Sequence, residues 1–66
     1  MREITTEIEK FIVCHNNADV IHYVNLQPGN TLATSQEFVE EFLDLESVKN
    51  RINEITNDET YFDNNF

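Results

Sequence analysis

A chain of 66 residues with thirteen acidic and four basic side chains carries a formal charge of −9 at pH 7. At this size it makes one domain, burying about 60% of the surface its unfolded chain exposes, and its 39% apolar content allows one small core but no core plus enclosed active-site cleft. Its one cysteine excludes an intrachain disulfide, so self-association or a partner is the expected further source of stability.

Residues 1–10 alternate charged and β-branched residues, among them Ile4, Thr5, Thr6 and Ile8, and either begin a strand or fray. Phe11-Ile12-Val13-Cys14-His15 and Val20-Ile21-His22-Tyr23-Val24-Asn25-Leu26 are two β-prone runs. Asn16-Asn17-Ala18-Asp19 lies between them, with Asn residues that tolerate the positive φ of tight turns. This is an antiparallel hairpin. A loop of two or four residues puts Phe11, Val13, Val20, His22, Val24 and Leu26 on one face and Ile12, Cys14, Ile21 and Tyr23 on the other. Both faces are apolar, so both need cover. A helix covers one; the chain's own termini or a second subunit cover the other. The expected oligomer is a homodimer, whose twofold closes on one self-complementary patch.

Gln27-Pro28-Gly29-Asn30 is a turn, with Pro presetting φ at the first central position and Gly taking positive φ at the second. Thr31-Leu32-Ala33-Thr34 reads as a short strand. Beyond it Phe38, Phe42, Leu45, Val48, Ile52 and Ile55 recur at spacings of four or three, the stripe of an amphipathic helix. Thr34 with Glu37 forms a capping box for a long helix; Asp44 with Glu46 in the first turn starts a shorter one and leaves Phe38-Val39-Glu40-Glu41-Phe42 as a strand. The expected fold is α+β: a small antiparallel hairpin or sheet with one C-terminal amphipathic helix packed on it. It occupies residues 1–56, with an acidic, aromatic tail over 57–66. The expected core is Phe11, Val13, Val20, Val24, Leu26, Leu32, Val48, Ile52 and Ile55.

Cys14, His15 and His22 are the side chains that could suggest a metal, but a zinc site needs three or four converging Cys/His ligands. Cys14 and His15 are adjacent on a strand and point apart, leaving only the two histidines on one face. No cofactor or metal is expected. Cys14 lacks a neighbour that would lower its pKa, Glu40 and Glu41 have no dry cleft, and no Gly-rich phosphate loop exists. These features argue against an enzyme.

His22-Tyr23, Leu26, Pro28-Gly29, Leu32, Thr34 and Gln36 resemble a pattern of short bacteriophage proteins often encoded among tail genes. In that pattern a strand ending in His-Tyr-Gly leads through a Pro-Gly turn to a Leu-Ser-Thr-Gly-Gln segment, followed by a Glu-Thr-Phe/Tyr strand and a closing helix. The resemblance covers roughly residues 11–55, with Glu40-Glu41-Phe42 at the strand motif. The chain departs from it at Val24, Ser35 and Glu37, which stand in place of Gly, Gly and Pro. The resemblance implies a phage origin, a hairpin-plus-helix module and a non-enzymatic role, and it favours the Asp44 helix start.

Charge is uneven along the chain. Residues 34–66 hold nine acidic side chains against two basic ones, with Glu37, Glu40, Glu41, Asp44 and Glu46 inside ten positions. The favoured reading is an acidic inhibitor that docks on a host defence or nucleic-acid-binding protein, its carboxylates replacing phosphates in a basic groove. Direct nucleic-acid binding is not expected, because phosphates repel such a surface. The alternatives are a virion or tail-assembly component and a regulatory adaptor using Tyr61, Phe62 and Phe66 as a linear motif. No run approaches the ~20 apolar residues that span a bilayer, and Met1-Arg2-Glu3-Ile4 opens no signal-peptide core. The expected location is the host cytoplasm, or else the virion.

Overall fold

The computed structural model describes residues 2–16 and 20–66. In chain order its elements are β1 (Arg2–Thr5), β2 (Lys10–Asn16), β3 (Val20–Leu26), β4 (Thr31–Thr34), β5 (Phe38–Phe42), α1 (Leu45–Thr56) and α2 (Tyr61–Asn65). The fold is α+β with two antiparallel sheets. One pairs β1 with β4; the other has the order β3-β2-β5.

The central strand β2 is apolar on both sides, and the chain itself covers both. Val13 packs with Val48 and Ile52 of α1, flanked by Phe11, Ile21, Tyr23, Phe42, Tyr61 and Phe62. On the opposite side Ile12, Cys14 and Leu26 pack with Ile4 of β1, Leu32 of β4 and Val39. Cover for the second face thus comes from the N-terminal strand and its β4 partner, and that face is not left for a second subunit.

The hairpin of β2 and β3 forms as predicted, but its faces sort differently. Asn16 pairs with Val20, so three residues separate the strands. The predicted turn lies, apart from Asn16, outside the described residues. An odd separation reverses β3 relative to the two- or four-residue case, because side chains alternate with period two. Tyr23 therefore sits opposite Val13 and Ile21 opposite His15, while Val24 faces Ile12 and His22 faces Cys14. Val20, expected in the core, is 56% exposed, and Ile12 and Cys14 join Val13, Val48 and Ile52 as fully buried residues. Leu26 is buried as expected; Phe11, Val24, Leu32 and Ile55 are half-buried. The metal argument shifts too: Cys14 and His22 share a face, and His15 lies on the other.

The turn at Pro28-Gly29 has the expected geometry, with Gly29 at φ 81° and the Asn30 N–H donating to the Gln27 carbonyl at 3.1 Å. The Gly29 N–H donates to the Thr6 carbonyl at 2.8 Å, fastening this turn to the end of β1. Thr34 does not cap a long helix. Its hydroxyl accepts the Gln36 N–H, and the Gln36 amide donates to the Val20 carbonyl at 2.9 Å. Asp44 starts α1 instead, accepting the Ser47 N–H at 2.7 Å. Phe38 and Phe42 belong to β5, opposite His15 and Phe11. A spacing of four is even, so it also keeps two residues on one face of a strand.

The helix α1 ends at Asn57, whose left-handed φ of 56° lets its N–H bond the Glu54 carbonyl while the Asp58 N–H bonds that of Asn53. The turn sends the tail back across the helix. Asn53 holds it by accepting the Phe62 N–H at 2.9 Å and donating to the Glu59 carbonyl at 3.0 Å.

Candidate functional site

β5 takes the acidic run apart. Glu40 lies opposite Val13 and Glu41 opposite Ile12, so they project to different sides of the sheet. Glu40 turns toward α1, where Arg51 Nε donates to both of its carboxylate oxygens at 2.9 Å. His15 Nε2 lies 3.1 Å from the same carboxylate, and the His15 ring stacks on Phe38 with centroids 5.0 Å apart. A carboxylate only accepts, so His15 Nε2 carries the proton, and buried Nδ1 has no partner among the described residues. Glu41 pairs with Lys10 at 2.9 Å. Asp44 caps α1. Glu37 and Glu46 are exposed, and the Glu37 backbone N–H donates to the Asn16 side chain at 2.8 Å.

Of the five acids in this run, Glu46 alone reaches a surface groove beside α1. This open groove of about 610 Å³ runs along the outer side of α1 and is lined by Glu46, Lys49, Asn50, Asn53, Glu54, Asn57, Asp58 and Glu59. Four carboxylates face one ammonium across it. Glu54 lies in the last turn of α1, where the helix dipole disfavours negative charge by about 0.3–1 kcal/mol at a surface, and Glu59 lies three residues beyond the helix, just before the Thr60 cap of α2. No basic residue occupies the last turn of α1. Arg51, one turn earlier, reaches Glu54 at 2.9 Å, and Lys49 reaches Asp63 at 3.5 Å. Asp58 accepts the backbone N–H and hydroxyl of Thr60, each at 2.9 Å. Those bonds hold its carboxyl below the usual value of 3.8.

Sequence reasoning missed Glu54, Asp58 and Glu59 because it looked for local density, whereas the groove joins α1 to the loop after it. The available signal was helical spacing: Glu46, Asn50, Asn53, Glu54 and Asn57 make a polar stripe opposite Val48 and Ile52.

The tail's rings are partly committed to the fold. Tyr61 and Phe62 pack against the core beside α1, and Phe62 stacks on Tyr23 at 5.7 Å. Phe66, 48% exposed, closes the group at 5.5 Å from Tyr23 and 5.2 Å from Phe62.

Cys14 is buried, and desolvation raises its thiol pKa, outweighing the opposing hydrogen bond from the Thr34 side chain. Among the described residues no three His, Cys, Asp or Glu side chains converge as a metal site would require. No helix of the described residues is long and apolar enough to cross a membrane. Compared with known proteins, the chain matches no family model, no curated protein and no solved structure.

Proposed function

We propose that this chain is a non-enzymatic, phage-encoded binding protein, an acidic inhibitor that seats the outer side of α1 in a basic groove of a host protein. The observation that carries the reading is the groove along α1, with Glu46, Glu54, Asp58 and Glu59 set against Lys49. One of these carboxylates, Glu54, stands in the last turn of α1, where the helix dipole opposes it and Arg51 offsets it, while Glu46 and Glu59 have no ion pair among the described residues. Fixed negative charges on a helix and its following loop offer a basic groove an array of oxygens of the kind phosphates offer. The fitting partner class is therefore a host defence or nucleic-acid-binding protein. The phage origin rests on the resemblance of the His-Tyr, Pro-Gly and Thr-x-Gln elements. The inhibitor reading goes with action in the host cytoplasm; the resemblance by itself favours the alternative, a virion or tail-assembly role.

Affinity purification from infected bacteria tests the reading, with wild type and the Glu46→Lys/Glu54→Lys/Glu59→Lys variant as baits. The expected outcome is a basic host protein retained by wild type and lost by the variant. Equal retention by both baits would overturn the acidic docking site. Mass spectrometry of purified virions separates the alternative: the protein as a stoichiometric particle component would replace the inhibitor reading with an assembly role.

A further inference from the structure

Residues 20–36 contain no Asp, Glu, Lys or Arg, although the whole chain carries −9. The run begins with β3, a seven-residue strand at the end of the order β3-β2-β5, whose outer edge has no partner strand among the described residues. An exposed edge presents a row of unpaired N–H and C=O groups, and proteins usually guard such edges with charges, Pro, bulges or short strands. The other edges here are guarded. β5 carries Glu40 and Glu41, β1 carries Glu3, and β4 is only four residues long. β3 has none of these devices: its sequence is Val-Ile-His-Tyr-Val-Asn-Leu, and only its first carbonyl, that of Val20, is taken by a side chain, the Gln36 amide at 2.9 Å.

We propose that a second copy of this chain docks on the outer edge of β3. The two β3 strands pair antiparallel about a twofold axis at Tyr23, joining two three-stranded sheets into one. In this register His22 lies opposite Val24 of the second copy, Ile21 opposite Asn25 and Val20 opposite Leu26, so no like charges meet. The same operation on β5 would set Glu40 against Glu40. Charge also selects the occupant. Two chains of −9 repel least where neither carries charge, and β3 with the turn and strand after it is the long stretch that meets this condition on both copies. A strongly basic partner, by contrast, would find nothing here to pair with. Val20, more than half exposed in the single chain, gains cover against Leu26 of the second copy. The proposal goes beyond the acidic docking site and uses none of its residues.

Sedimentation equilibrium of the full chain at rising micromolar concentration, with the Val20→Glu/Asn25→Glu variant beside wild type, tests it. Both substituted positions are exposed, so the fold tolerates the change. The expected result is a species of twice 7.8 kDa for wild type and self-association at least about tenfold weaker for the variant. The acidic-groove variant Glu54→Lys/Glu59→Lys should still dimerise. Hydrogen exchange on wild type alone supplies a second readout: protection at alternate β3 amides should rise with protein concentration. A wild type that stays at 7.8 kDa throughout would overturn the proposal. So would a dimer that the β3 variant leaves intact, or concentration-dependent protection confined to β5.

Discussion

β3 and β5 flank the same central strand, yet β3 carries no charge and β5 carries two adjacent glutamates. From the sequence, β5 looks like the docking surface and β3 like core. The structure separates these properties differently. Glu40 is held by Arg51 and His15, Glu41 by Lys10, and β3 presents the open edge. Local acidity thus says little about available acidity. A carboxylate already held by a cation of its own chain has less to offer a partner, and the fold decides which carboxylates those are: Glu54, paired with Arg51, is one of them, while Glu46 and Glu59 have no ion pair among the described residues.

Five expected outcomes would break or sharpen this contrast. The largest concerns the core under both strands: Ile52→Ala should cost about 2–5 kcal/mol, a large part of the stability of so small a domain. Chemical denaturation checks it, and a midpoint within error of wild type would mean that α1 does not carry the core. Next, Glu40→Ala removes the shared acceptor of Arg51 and His15 from a partly buried site and should cost about 1–3 kcal/mol. Glu41→Ala, one residue along but paired only with Lys10 at the surface, should cost less than about 1 kcal/mol. Equal losses at the two positions would contradict their assignment to opposite sides of the sheet.

The smallest effects are in pH. The Cys14 thiol is raised above its ordinary value of 9.0 by burial, so its contribution is fully present below that value. It is lost as pH rises toward the folded-state pKa, because the unfolded chain ionises first. Asp58 works in the other direction. Its carboxyl is held below 3.8 by Thr60, so its contribution is present above that value and lost as pH falls through the lower, folded-state pKa. Thermal melts across pH should show the alkaline loss shrinking in Cys14→Ala and the acid loss shrinking in Asp58→Asn.

Much of the fold was legible in the sequence because it is written in local chemistry. Pro28-Gly29 sets its turn, Asp44 caps its helix, and Val48 with Ile52 marks the buried stripe. The β2–β3 faces were not legible, since they depend on whether the intervening residues number odd or even, and one residue reverses every side chain of β3. That is why Val20 left the core; Ile12 and Cys14 of β2 entered it because Ile4 of β1 and Leu32 of β4 cover their face. The groove along α1 was legible only in part. Glu46 lay within the acidic run, but Glu59 reaches the helix through the turn at Asn57, and Asn53 holds that return by bonds to Glu59 and Phe62 that no hydrophobic spacing reveals.

The association rate of the isolated host partner, measured at low and physiological salt for wild type and Glu46→Lys/Glu54→Lys/Glu59→Lys, tests the central claim most directly. Steering by the α1 groove predicts fast association for wild type that falls steeply with salt. For the variant it predicts an association rate reduced about tenfold or more at low salt with little salt dependence left, and an unchanged fold. A variant that binds as fast as wild type at low salt, with the same salt slope, would contradict the assignment of docking to this face.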